Sequence, residues 1–324
     1  MESTGTRIIF IFFDILLPLI AGYILKQKNG LTSQQCNFLI RFNIIVIMTI
    51  LTLLSFWILP LRSELLMLPF FSFFNAFLPW AIVIACGLYK RFQTATDRGS
   101  YIIAAIPSNV GALGGLCGYI LYGEISFAYV QMVGIFQNLV MLFILFPMGY
   151  YYQHLGEAGR SPNVSIHWKD VFINWNQLSI VGIAGGMLLY AAQIPRPPVL
   201  GTVFQALVHI SAWAALLPIG YLIEFSNLKQ YYRTTLNLIP IKLLITPIAS
   251  YMLASFFTSD PVLLGTLIIV MSTPCAINAL ITERLYGLNV NLAMAPFITT
   301  TIVYILILYP AFYLLVTLGW LPFK

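Results

Sequence analysis

Ten stretches of this chain are apolar for long enough to cross a bilayer, and that pattern decides most of what it can become. A hydrocarbon core about 30 Å thick takes about 20 residues of helix, and the runs occupy 8–25, 38–59, 65–89, 99–122, 125–150, 177–193, 201–225, 234–257, 262–286 and 290–318. Inside lipid every backbone N–H and C=O has to be bonded internally, so such runs are expected to be helices. Composition agrees: 60% of residues are hydrophobic and 8% charged, against roughly 25% charged in soluble domains. The longest connection, Tyr152 to Asn176, is far too short for a soluble domain. The expectation is an all-α polytopic membrane protein, with residues 1–324 forming one membrane domain.

Several function classes fall away at once. The first run follows Arg7 but has no small-residue cleavage pattern and contains Asp14, so it reads as a retained helix rather than a secretory signal. Cys36, Cys86, Cys117 and Cys275 each stand alone in an apolar run, and no two of His154, His167 and His209 have ligand spacing, so no metal is expected. No Walker-type loop, His-Glu-x-x-His or Gly-x-Ser-x-Gly motif is present, and no nucleophile is paired with a base. An enzyme is therefore not expected, and neither is an organic cofactor. The net charge of +6 reflects topology rather than nucleic-acid binding.

Lysine and arginine favour the cytoplasmic side. An outside N-terminus puts Lys26, Lys28, Arg41, Lys90, Arg91, Arg98, Arg160, Lys169, Lys229, Arg233 and Arg284 inside, and only Arg7, Arg62, Arg196 and Lys324 outside. Both termini are thus expected to be extracytoplasmic in a multi-pass cell-membrane protein, with 153–176 as a cytoplasmic connecting loop. That loop separates two sets of five runs, 7–152 and 177–320. An odd number of spans per half inverts the second half, the 5+5 inverted repeat of many secondary transporters. Local matches support it. Ala21-Gly22 answers Ala184-Gly185, Pro79 answers Pro247, Tyr122-Gly123 answers Tyr286-Gly287, and Pro147 answers Pro310.

The fourth and ninth runs correspond best, and both are interrupted at mid-depth. Pro107-Ser108-Asn109 with Gly111, Gly114 and Gly115 interrupts one, and Ser272-Thr273-Pro274 with Asn278 interrupts the other. Asn109 lies about 17 Å along a helix from Arg98, and Pro274 about 20 Å from Asp260. A proline removes one backbone donor and frees the carbonyl four residues earlier, here Ile103 and Val270. Irregular backbone at that depth is tolerated only inside protein or beside a wet cavity. A restarted helix presents unpaired N–H groups and about half a positive charge, which suits an anion. Pro107, Ser108, Asn109, Gly111, Gly114, Asn138, Thr273, Pro274 and Asn278 are the candidate substrate-binding residues. Asn138, Gln131, Gln137 and Thr299 to Thr301 are candidates for lining the path, interhelical packing and hydrogen bonding being the structural alternative for each. Asp14 and Lys242, ionisable groups within the membrane, are candidates for coupling or gating, as an ion pair or as a proton-linked switch. Glu224, Glu283 and Arg284 read as solvated.

Asn109-x-Gly111-x-x-Gly114, Lys242 five residues before Pro247, and Pro274-x-Ala276-x-Asn278-Ala279 followed by Tyr286-Gly287 resemble the auxin efflux carrier family. That family includes plant auxin exporters and bacterial malate permease-like proteins, and is related to bile-acid sodium symporters. The resemblance extends over essentially the whole chain. It implies ten helices, a scaffold of the first, second, sixth and seventh, and a moving domain of the third to fifth and eighth to tenth. It also implies that broken helices four and nine cross at the substrate site, with elevator-type movement and a homodimer. The chain departs from the pattern in lacking a proline in the second run ("VIMTILTL") and after Gly114 (Gly115-Leu116). Its short central loop is closer to microbial members. The expected function is secondary active or facilitative transport of small organic anions, malate-like carboxylates or auxin-like acids, with H+ or Na+ as the candidate coupling ion. The alternative from another class is a receptor that binds a small anion in the same pocket without moving it.

Overall fold

The computed structural model describes residues 11–156, 178–223 and 229–319, with side chains at 13–156, 178–223 and 231–319. The connecting loop expected at 153–176 lies mostly outside the described residues, as do Arg7 and Glu224. Among the described residues every regular element is helical. Numbered here in chain order, they are α1 (Leu17–Gln27), α2 (Ser33–Trp57), α3 (Ser63–Ala85), α4 (Ala95–Ala105), α5 (Val110–Tyr122), α6 (Glu124–Gly156), α7 (Leu178–Ala191), α8 (Val199–Leu222), α9 (Tyr231–Ala254), α10 (Pro261–Met271), α11 (Ile277–Leu285) and α12 (Val290–Thr317). Six of these, α2, α3, α6, α8, α9 and α12, are long and apolar enough to cross a membrane. Such a chain is a multi-pass membrane protein. The fourth and ninth runs do not yield full-length helices because each is divided: α4 and α5 share one, α10 and α11 the other.

Prolines shape the rest in a regular way. Four π-helical segments, Ile11–Leu16, Met141–Leu145, Ile241–Ile245 and Tyr304–Leu308, end two residues before Pro18, Pro147, Pro247 and Pro310. A proline ring crowds the carbonyl four residues earlier and donates nothing to it. The wider π turn accommodates both effects without ending the helix. Proline in these runs therefore changes helical phase instead of stopping the span.

Residues 1–65, 111–131 and 167–223 cluster as one compact unit, and 66–110, 132–166 and 224–324 as another. In the first unit glycine sets the helix spacing. A Cβ at Gly22 on α1 would strike the Leu217 carbonyl of α8, and one at Gly220 would strike that of Leu19. Gly182 and Gly186 of α7 meet the Thr49 and Leu53 carbonyls of α2 in the same way. Without a hydrophobic drive between helices in lipid, such close backbone approach supplies the association through packing. The first unit also holds α5 and the start of α6, where Tyr119 and Phe127 pack on Phe204.

The second unit has a core of Val83, Tyr101, Ile102, Ile103, Leu145, Leu238, Tyr286 and Leu292. The second half of α4 is sealed, since Tyr101 to Ala105 are all fully buried. Thr94 caps α4 by accepting from Asp97 N at 3.0 Å. Asp260 caps α10, accepting from Val262 N and Leu263 N, with Pro261 in the first turn where its missing donor costs nothing.

Candidate functional site: the paired helix breaks

Pro107 to Asn109 and Ser272 to Asn278 belong to the second unit, whereas Gly111, Gly114 and Gly115 cluster with the first, and the backbones of the two breaks meet. Asn109 N donates to Pro274 O at 2.9 Å and Ala276 N donates to Pro107 O at 3.1 Å, so Ser108 and Cys275 form an isolated antiparallel bridge. Two short extended segments thus satisfy one another where helical hydrogen bonds are missing. The carbonyls of Ile103 and Val270, expected to be freed, find local partners instead. Ile106 N reaches Ile103 O at 3.2 Å, and Thr273 bonds Val270 O through both its N–H (3.3 Å) and its hydroxyl (2.7 Å). The Thr273 side chain therefore closes the end of α10 and is not presented to a ligand.

Side chains from four neighbouring helices hold the bridge and the chain leading into it. Gln137 Nε2 on α6 donates to Ser108 O at 2.8 Å, and Ser108 Oγ donates to Asn75 Oδ1 on α3 at 3.2 Å. The hydroxyl of Thr300 on α12 accepts from Cys275 N at 3.1 Å. Lys242, fully buried on the π segment of α9, donates from Nζ to Ile106 O at 3.0 Å. A narrow cavity, with room for about one water molecule, lies against the first break and is lined by Ser72, Asn75, Pro107, Ser108 and Gln137 among others. Beside it Ser72 Oγ donates to Val133 O.

The candidate residues separate into three groups. Pro107, Ser108, Asn109 and Pro274 are brought together at the bridge. Asn109 is the least satisfied: it is 8% exposed, and its Nδ2 finds no acceptor among the described residues. An amide donor left open in a buried place costs roughly 1–3 kcal/mol, so its retention calls for a use. Asn278 stands in the first turn of α11, half-buried, and that helix starts without a side-chain cap. Gly111 has open space where a side chain would be, and Gly114 is buried at the end of the π segment Val110–Gly114. Asn138 is exposed, and its neighbour Gln137 makes the contact instead. Thr299 and Thr301 bond their own helix, at Ala295 O and Phe297 O.

Two expectations about charge are corrected. Asp14 and Lys242 do not pair: Asp14, 4% exposed, meets His209 Nδ1 at 2.6 Å in the first unit, while Lys242 belongs to the second. The partner of Asp14 lies on a helix half the chain away, and nothing in the local sequence selects it. Glu283 is not solvated. It is fully buried, and neither carboxyl oxygen has a hydrogen-bond donor among the described residues. Adjacent Arg284 is exposed, so the helix turns its glutamate inward and its arginine outward. Ser72 and Asn75, which the sequence reading passed over, wall the cavity. Their only signal is that they are polar residues one helical turn apart on the otherwise apolar third run.

No family model matches the chain. Among curated proteins it is similar to the "Putative malonate transporter" of Rhizobium meliloti (strain 1021), with 22% identity over 232 residues, 70% of each chain.

Proposed function

We propose that this chain is a secondary carrier of small organic anions, with malonate- and malate-like carboxylates as its substrate class, and that the bridged breaks form its binding site. The observation that carries the reading is the pair of proline breaks hydrogen-bonded to each other inside protein, beside a small cavity that Ser72, Asn75, Ser108 and Gln137 help to line and near a buried lysine. Unwound backbone at this depth, flanked by helix ends, is the arrangement by which broken-helix transporters bind substrate. The Asn109 amide supplies an open donor, Lys242 supplies positive charge, and Asn278 supplies a second amide in the first turn of α11. A three-carbon diacid exceeds the present cavity, so binding requires it to widen.

The reading includes ten spans in a 5+5 inverted repeat, 7–152 and 177–320, both termini extracytoplasmic, and alternating access by an elevator movement of a homodimer. The division of the contacts supports it in outline, with α1, α2, α7 and α8 in one unit and α3, α4 and α9 to α12 in the other, while 111–131, nearly all of α5 and the start of α6, cluster with the first. The similarity to a malonate transporter supports the substrate class. The decisive experiment is counterflow of labelled malonate and malate in proteoliposomes. Asn109→Ala and Asn278→Ala are expected to lower the rate at least tenfold, about 1.4 kcal/mol of lost stabilisation. Wild-type rates in both variants would remove the site assignment.

A further inference from the structure

Glu283 is a titratable group that the substrate site does not use. It lies on α11, the half-helix that starts at the bridge, and Thr282 Oγ on the same helix donates to Asn278 O at 2.9 Å. Its position is five residues beyond Asn278, about 7.5 Å along the helix, and one turn before Tyr286, whose ring packs on Gly149 of α6. The elements packed on α11 are α4, α6 and α12. From α4, Asp97 accepts from Asn289, Arg98 donates to Phe92 O, and Tyr101 bonds Arg91 and Asn237. From α6, Tyr150 meets His154 edge to face and Tyr151 meets Tyr152 likewise, while α12 offers no ionisable group to α11 before Tyr304. On α11 itself Arg284 is exposed, and Tyr286 stacks on Phe146. None of these groups bonds Glu283.

A carboxylate ion sealed in that position would have neither donor nor countercharge, so the packing fits the neutral acid. Ionisation requires water, and therefore a movement of α11, the rod whose other end helps form the substrate site. Charge adds a second link. Among the described residues of the second unit Lys242 is the one fully buried cation, and no ion pair joins it to Glu283. With Glu283 neutral the interior carries an uncompensated positive charge that favours an anion, and with Glu283 ionised that preference is cancelled. Proton and anion therefore favour each other's binding, and the effect is reciprocal.

We infer that Glu283 is the proton-binding site through which anion movement in this carrier is coupled to protons. The inference rests on reading the chain as a carrier. Each cycle takes one proton onto the carboxylate on one side of the membrane, forming the acid, and returns it on the other. The test uses the full chain in liposomes loaded with a pH-sensitive dye, with malonate as the probe. Malonate entry is expected to carry protons with it, and an inward proton gradient to speed entry several-fold. In Glu283→Gln the ratio of flux with and without the gradient falls to about one, and proton entry disappears. Proton entry retained in Glu283→Gln, or malonate entry without protons in the wild type, overturns the inference. Infrared spectroscopy of the purified chain in lipid reads the carboxyl directly. A protonated C=O band at neutral pH should be present in the wild type, absent in Glu283→Gln and displaced in Glu283→Asp. Absence of that band in the wild type overturns the proton site whether or not malonate moves. Failure of malonate or malate to exchange in the wild type, with the band present, overturns the carrier reading alone.

Discussion

The two compact units treat buried charge in opposite ways. In the first, Asp14 meets His209 at 2.6 Å, and Arg196 grips Glu124 at 2.6 Å while also donating to Leu54 O at 3.0 Å. In the second, among the described residues, Lys242 bonds a backbone carbonyl and neither Glu283 oxygen has a hydrogen-bond partner. Breaking a buried pair leaves an uncompensated charge, so the first arrangement resists change. An isolated buried charge or acid is held at a cost that any ligand of opposite sign, or a proton, relieves. On the proposed reading, the first unit is the one that stays as it is and the second the one that responds.

Substitutions can set that contrast against measurement. The largest effect is expected where the first unit brings backbones together. Gly220→Val drives a branched side chain into the Leu19 carbonyl, where even yielding cores lose about 1–3 kcal/mol. The variant should give no monodisperse peak in size-exclusion chromatography, and a well-behaved, active Gly220→Val would show that this packing tolerates separation. Next comes Glu124→Gln, which leaves Arg196, 12% exposed, without its anion. A loss near 2 kcal/mol in unfolding is expected, with exchange per folded molecule close to that of the wild type. If exchange fell instead, the first unit would share in the response.

Lys242→Met should show the reverse pattern. Removing an uncompensated ammonium for an unbranched apolar chain is expected to leave Tm unchanged or raised, while malonate exchange drops about tenfold or more. A lowered Tm with normal exchange would make Lys242 a structural residue like Arg196. The smallest structural effect is expected at Gly111→Ala, where nothing lies within 4 Å of the added methyl and φ is not left-handed. Stability should stay within about 0.5 kcal/mol, so a clear fall in malonate affinity, measured by binding, would mark that space as belonging to the substrate.

Much of the framework was legible in the sequence because prolines and hydropathy act locally. Pro107 and Pro274 end α4 and α10 wherever those helices go, and the matched surroundings of the two breaks indicated that they belong together. The π segments were not legible, since a proline inside an apolar run is equally consistent with a kink, a stop or a widened turn. Side-chain partners were legible least. Choosing Gln137 over Asn138 depends on helical phase, and the loosened turn at Ile135 and Phe136 alters that phase. Glu283 was misread because a Glu-Arg pair near a helix end has the composition of a solvated face. Only the packing of Tyr286 on Gly149 turns that face inward.

The two peptide hydrogen bonds between the breaks also bear on how the protein is made. Asn109 N and Pro107 O are synthesised half the chain before their partners at Pro274 and Ala276. A polar, unwound segment therefore waits in or near the membrane until the ninth run arrives, and exposure of such groups to lipid costs several kcal/mol each. Until then the first half of the chain is a client for whatever shields polar backbone during insertion, and a truncation before residue 260 should be degraded, not merely inactive.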